Sequence, residues 1–193
     1  MRRARSLVLV ASVALLVAAG CGLRRDRFYT LSATAGATGA PRSLRVGLGP
    51  VVVPEYLDSP MIVTRLDANR VHYAPFDRWA SPLSQQVSHV LAENLAAAGT
   101  VVPYPWYSSA APDVVVRVNL LAFESDASGA AHLDAAWSVV EQRTGALRKN
   151  DRTTLTEPAA GRTTQAAVAA LSRTLVDLAQ RIAEELPAAA SRP

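Results

Sequence analysis

The chain has 193 residues, 50% of them hydrophobic and 19% charged, with a formal net charge of +4 and one cysteine. That length suits one domain with a sizeable core, and a lone cysteine excludes an internal disulfide framework. Removing residues 1–20 takes away three arginines and no acid, leaving 17 basic against 16 acidic side chains, a net +1 that makes no electrostatic case for nucleic acid.

In chain order, Arg2, Arg3 and Arg5 form a positive leader ahead of Leu7–Ala19, an uncharged apolar run of 13 residues. A bilayer takes about 20 apolar residues to cross. With the small residues Ala18, Ala19 and Gly20 behind it, the run reads as a signal peptide over residues 1–20, removed on export. Cys21 stands at the cleavage point. Small-small-Gly-Cys after an apolar run resembles the bacterial lipobox, in which the thiol receives a diacylglycerol. Cys21 is therefore expected to carry lipid and to begin the mature chain. Residues 21–42 read as the lipidated Cys and a flexible tether, because Ser32–Pro41 is small and unpatterned. Phe28–Leu31 could dock as a short strand.

The folded domain is expected over residues 43–187, followed by a loose tail at 188–193. Leu44, Val46 and Leu48 alternate with Arg45 and Gly47, which predicts a strand; Gly49-Pro50 is a candidate bend in it, and Val51–Val53 continues extended. Pro54–Pro60 is a loop bounded by prolines. Ile62–Leu66 and Arg70–Tyr73 flank Asp67-Ala68-Asn69 as a hairpin. Ser81 as N-cap and Pro82 as first helical residue open a helix. Its apolar face is Leu83, Val87, Leu91 and Leu95, and Gly99 stops it. Thr100–Val102 is a short strand. Asp113–Phe123 is a long one with Val114, Val116, Val118 and Leu120 on one face. Leu133, Ala135, Trp137 and Val139 alternate in a second arm, and Leu147–Leu155 is a polar third arm at the sheet edge. A last helix, Thr164–Leu186, carries the seam Val168, Leu171, Leu175, Leu178 and Ile182. The sum is a single α/β domain: a mixed, mostly antiparallel sheet with two main helices packed on it.

Chemistry is hard to find in this pattern. His72, His89 and His132 lie at no metal-ligand spacing. No G-x-S-x-G elbow, P-loop or complete dinucleotide fingerprint occurs. The sequence assigns no catalytic residue, no metal site and no cofactor beyond the covalent lipid on Cys21, and the expected class is not an enzyme. What stands out instead is Tyr56 and Leu57 in a Pro-bounded loop and Phe76, Trp79, Trp106 and Tyr107 in Pro-rich connections, with Arg65 and Arg78 accompanying them. Such residue types are enriched at protein interfaces. Trp79 and Trp106 read better as seals over the core, and Trp137 as core. Tyr56, Leu57, Arg65 and Arg78 are the candidate partner-binding residues.

Two blocks, Val46–Arg65 (VGLGPVVVPEYLDSPMIVTR) and Arg78–Ala96 (RWASPLSQQVSHVLAENLA), resemble the signature stretches of the PqiC-type lipoproteins, also described as ABC-type transport auxiliary lipoproteins. FYTL at Phe28–Leu31, Pro105-Trp106, Phe123, and Leu133 with Trp137 extend the resemblance over nearly all of the mature chain. Ser59 stands where that pattern often has a basic residue. The resemblance implies a non-catalytic outer-membrane lipoprotein on the periplasmic face, a subunit of an MCE-type intermembrane lipid transport system. It would dock the periplasmic part of a PqiB-like MCE-domain membrane protein and support envelope integrity, and a homo-oligomer would suit that role. Gly22 after Cys21, with no Asp there, agrees with outer-membrane sorting. The alternative is a periplasmic lipid-binding carrier that itself shelters an acyl chain, which requires an enclosed apolar cavity.

Overall fold

The computed structural model describes residues 25–33, 44–96, 100–102 and 111–186. The expectations for Cys21, for Trp106 and Tyr107, and for the tail lie outside these residues. Within them run β1 (Arg27–Tyr29), β2 (Arg45–Leu48), β3 (Met61–Asp67), β4 (Arg70–Trp79), α1 (Leu83–Leu95), β5 (Thr100–Val102), β6 (Val114–Asp126), β7 (Ala131–Glu141), β8 (Leu147–Glu157) and α2 (Thr164–Glu184).

The long strand β6 is the axis of an 8-stranded sheet. Along one side it pairs antiparallel with β7, from Val114↔Glu141 to Ser125↔Ala131, and β7 pairs antiparallel with β8. Its other side is shared. β2 lies parallel to its first residues, from Val46↔Val114 to Leu48↔Val116, and β3 lies parallel to its last, at Thr64↔Ser125 and Arg65↔Asp126. β5 extends the sheet beyond β2, while β4 and then β1 extend it beyond β3. β1 and β8 are thus opposite edges. The sheet is mixed, with three antiparallel ladders carrying most of its register pairs, as the pattern predicts. Val51–Val53 does not continue β2. Between Pro50 and Pro54 it contributes one bridge, Val52↔Asn119, because prolines cannot donate to a ladder.

Strand β7 shows why the pattern was readable: Ala131, Leu133, Ala135, Trp137 and Val139 are all buried and every intervening residue is less so. β6 starts in the same way, with Val114, Val116, Val118 and Leu120 buried, and then changes parity. The register jumps between Leu120 and Ala122, leaving Leu121 as an extra, 40% exposed residue, and Phe123 takes up the buried face at 1%. A bulge of this kind bends the strand and re-aims everything after it. Trp137 reaches β8 through Nε1, which donates to the buried Thr153 Oγ1 at 2.9 Å.

The helices pack on each other, and α2 packs on β6, β7 and β8. Val87, Val90, Leu91 and Leu95 of α1 and Leu171, Leu175, Leu178 and Ile182 of α2 are at most 1% exposed. Each such side chain contributes about 1.5–3 kcal/mol on burial. Thr163 caps α2, its Oγ1 accepting from Ala166 N at 3.2 Å. The expected Ser81 cap of α1 does not form. Pro82, at φ −49° and ψ 133°, is itself the residue before the helix, which begins at Leu83 without a side-chain cap. The buried Gln86 amide instead donates to Ser81 O at 2.9 Å. At the β6–β7 turn Gly129 has φ +95°, and a Cβ there would meet Gly161 O at 2.9 Å, so glycine is required twice over.

Candidate partner interface and N-terminal clamp

Pro54–Pro60 winds into a tight turn, with Leu57 N and Asp58 N both donating to Pro54 O, at 2.9 and 3.2 Å. The turn sends its two large side chains to different places. Leu57 points inward and is 1% exposed, in the same core cluster as the helices. In this fold it has no side-chain surface to give a partner, contrary to the expectation from its loop position. Tyr56 lies over the rim, half-buried, and Tyr73 Oη donates to its carbonyl at 3.1 Å.

Arg65, on β3, joins this rim to a buried acid. Its Nε pairs with Glu124 Oε1, its Nη2 donates to Tyr56 Oη at 3.3 Å, and its guanidinium carbon stands 5.8 Å from the Tyr56 ring centroid. The Glu124 side chain is 1% exposed against 34% for Arg65, and Glu124 Oε2 is buried without a hydrogen-bond partner. Burial, and then the neighbouring Glu124, push the Tyr56 hydroxyl up to about 12, with Arg65 pulling the other way. The Glu124 partner, with the Arg65–Tyr56 bond adding to it, holds the Arg65 guanidinium even more firmly protonated than usual, against a smaller burial penalty. Tyr56, Arg65 and Glu124 form one unit, whereas Arg78 lies elsewhere.

Arg78 belongs to β4, where its Nε donates to Asp26 Oδ2 at 2.9 Å beside strand β1. β1 runs parallel to the end of β4, with Arg27↔Asp77, Phe28↔Arg78 and Tyr29↔Trp79 in register. The segment continues inward. Tyr29 O accepts from Ala80 N at 2.9 Å, Leu31 N donates to Gln86 Oε1 at 2.8 Å, and Ser32 N donates to Ser172 Oγ at 3.2 Å. Leu31 is 8% exposed. The short strand expected at Phe28–Leu31 forms as Arg27–Tyr29, and with the residues after it is stitched to a sheet edge and to both helices. Asp77 is its centre. It accepts from Arg27, from Thr164 Oγ1 at 2.6 Å and from Tyr29 Oη at 3.4 Å. Burial opposes ionisation of Asp77, but Arg27 and Thr164 override it and hold the carboxyl below its ordinary value.

Sequence reasoning missed Asp77, Gln86 and Glu124. Each occupies an ordinary polar slot in its strand or helix pattern, and each owes its role to a partner 50 or more residues away. Two further arrangements bear on chemistry. Asp126 accepts from Ser128 Oγ at 2.6 Å and lies 2.9 Å from His132 Nε2. The carboxylate thus sits between hydroxyl and imidazole, and it also accepts from Ser128 N and Ala130 N, which ties the cluster into the β6–β7 turn. Two apolar grooves open to solvent. One of about 440 Å³ lies between α1 and the end of β2, lined by Leu48, Pro50, Val51 and Ala92. Another of about 570 Å³ lies on the outer face of β6 and β7, with Val52, Val115, Arg117 and Asn119. Among the described residues no group of side chains is arranged to hold a metal ion, and no helix is long and apolar enough to cross a membrane.

These features define the class: a single α/β domain whose polar clusters are tied into ion pairs and turns, and whose N-terminal strand is fastened to the body. The chain belongs to the ABC-type transport auxiliary lipoprotein component family, whose profile matches residues 29–183. That family is an auxiliary transport component and not a known enzyme family. As a lipoprotein family, it suggests a membrane-anchored place in the cell envelope, and an auxiliary subunit implies a partner. Two solved structures share the fold. One is of an uncharacterized protein, 22% identical, over 84% of this chain and 99% of that one, with a TM-score of 0.72. The other is protein XCC0632 from Xanthomonas campestris, of the DUF330 family, 16% identical, over 82% and 93%, with a TM-score of 0.69. A comparison with curated proteins returns no match.

Proposed function

We propose that Cys21 is acylated and that the chain is a non-catalytic outer-membrane lipoprotein on the periplasmic face. In this reading it docks the periplasmic component of an MCE-type intermembrane lipid transport system and so supports envelope integrity. The observation that carries the proposal is the clamp. A strand that begins six residues after Cys21 is fastened to β4, α1 and α2. Lipid on Cys21 would therefore hold the whole domain, not the end of a loose leash. Acyl chains contribute about 0.8 kcal/mol per buried CH₂, so a single chain binds marginally and several bind firmly. Anchoring also concentrates the domain beside a membrane-bound partner. Tyr56 and Arg65 remain the contact residues of choice, rigidly held over a buried acid, with Arg78 near the anchor.

The carrier alternative needs an enclosed cavity. The two grooves described above are open to solvent, which favours docking over sheltering. Photo-crosslinking in cells tests the reading. A crosslinker at Tyr56 should capture an MCE-domain protein, while one at Arg148, on the far edge strand, should not. No capture from Tyr56 removes this rim from the interface. Co-purification of phospholipid with the domain in native mass spectrometry would favour the carrier.

A further inference from the structure

Phe28 is the most exposed aromatic side chain among the described residues, at 65%. It sits on the edge strand β1, in register with Arg78, whose charge is taken up by Asp26. Arg25, just upstream, is exposed and makes no ion pair among the described residues. An exposed apolar side chain is unremarkable by itself. Here its place in the chain gives it meaning, because Phe28 lies seven residues after Cys21. Seven residues reach at most about 25 Å when fully extended. β1 is held against peeling away to lengthen that reach, since Asp77 grips Arg27 within it and Gln86 and Ser172 fasten Leu31 and Ser32 just after it.

We propose that the β1 edge is a membrane-contact surface. Phe28 seats at the boundary of headgroups and acyl chains, where aromatic rings are favoured, and Arg25 meets the phosphate of anionic lipids. The partner is the bilayer that holds the anchor, and the proposal rests on acylation of Cys21. The contact sets orientation, while the acyl chains supply retention. With β1 on the membrane, β8 lies at the opposite edge of the sheet, five strands along from β1, and the domain is held edge-on.

The test uses the acylated mature chain in vesicles of phosphatidylethanolamine and phosphatidylglycerol. Acylation blocks Cys21, so Phe28→Cys supplies the one free thiol for an environment-sensitive fluorophore, and Asn150→Cys on β8 supplies the comparison. Flotation with vesicles reports the anchor separately from the fluorescence. The expected result is flotation of both, with a blue shift and several-fold brighter emission from position 28 only. The position-28 signal should weaken in phosphatidylcholine vesicles or with Arg25→Gln. Flotation with a water-like signal at position 28, or with equal shifts at both positions, overturns the orientation while leaving the anchor intact. Failure to float overturns the anchor reading and this proposal with it.

Discussion

Asp77 accepts two hydrogen bonds from Arg27 across the β1–β4 ladder, from Nε to Oδ1 at 2.5 Å and from Nη2 to Oδ2 at 3.0 Å. The fork matters less for its charge, since 65% of the Arg27 side chain is in water, than for where it holds the chain. Asp77→Asn keeps the shape but removes the charge that Arg27, Thr164 and Tyr29 address. The fold should survive, because the core lies under α1 and α2. The amides of Tyr29, Leu31 and Ser32 should exchange faster with deuterium, and protease should gain access ahead of β2. Unchanged protection at Leu31 would mean that Gln86 alone holds the segment.

The acidic limb of stability should depend on carboxylates of this kind. Burial opposes ionisation of Asp126, but His132 and the Ser128 hydroxyl and N–H override it and hold the carboxyl at about 2. Asp77 and Asp134 are lowered as well. A carboxyl whose pKa is depressed by folding contributes stability that is complete above the unfolded value of about 3.9 and is lost as pH falls through the folded value. The urea midpoint should therefore hold from pH 6 to about 4 and fall between about 4 and 2. Asp126→Asn should flatten that fall. A wild-type curve that is already declining at pH 6 would assign the loss to other groups.

How far the sequence carried depends on the range of the interaction. Buried alternation in β7 and the 3–4 seam of α2 are local, and both were legible. The parity change in β6 was not, because the string LLAF gives no sign of which residue the partner strand will skip. Leu57 misled for a related reason. A Pro-bounded loop reads as surface, yet the carbonyl of Pro54 gathers the amides of Leu57 and Asp58 into a turn that aims Leu57 inward. Of the four contact residues chosen from sequence, Tyr56 and Arg65 meet in space. Glu124, which joins them, is 59 residues from Arg65 and could be found only through the β3–β6 pairing.

That unit predicts a strongly coupled pair. Arg65→Met leaves Glu124 buried without its cation, a loss that costs about 3–5 kcal/mol for a fully buried pair. With a third of Arg65 in water, about 2–3 kcal/mol is expected. Glu124→Gln removes the acid's charge, and the double variant should be more stable than Arg65→Met alone, with a coupling energy above about 1 kcal/mol in the cycle. Denaturant midpoints measure all four corners, and additive losses would show that the pair does not act as a unit. The Tyr56 hydroxyl gives an independent readout. In a spectrophotometric titration of the native protein, one tyrosine should ionise late, at about 12, and Tyr56→Phe should abolish that step.

The buried position of Leu57 changes how the partner interface must be probed. Leu57→Ala removes a fully buried leucine and should cost about 2–5 kcal/mol, the range for such truncations in packed cores. Loss of partner binding in that variant would report unfolding as readily as a lost contact. Tyr56→Ala removes a half-buried ring from the rim and the stacked face beside Arg65, so its cost should be smaller, and it belongs in any binding assay by itself. The measurement is a thermal or urea midpoint for each variant before any pull-down. Leu57→Ala should move the midpoint substantially and Tyr56→Ala by less. If Leu57→Ala leaves the midpoint in place, the turn tolerates an alternative packing that exposes position 57, and Leu57 returns to the list of contact residues.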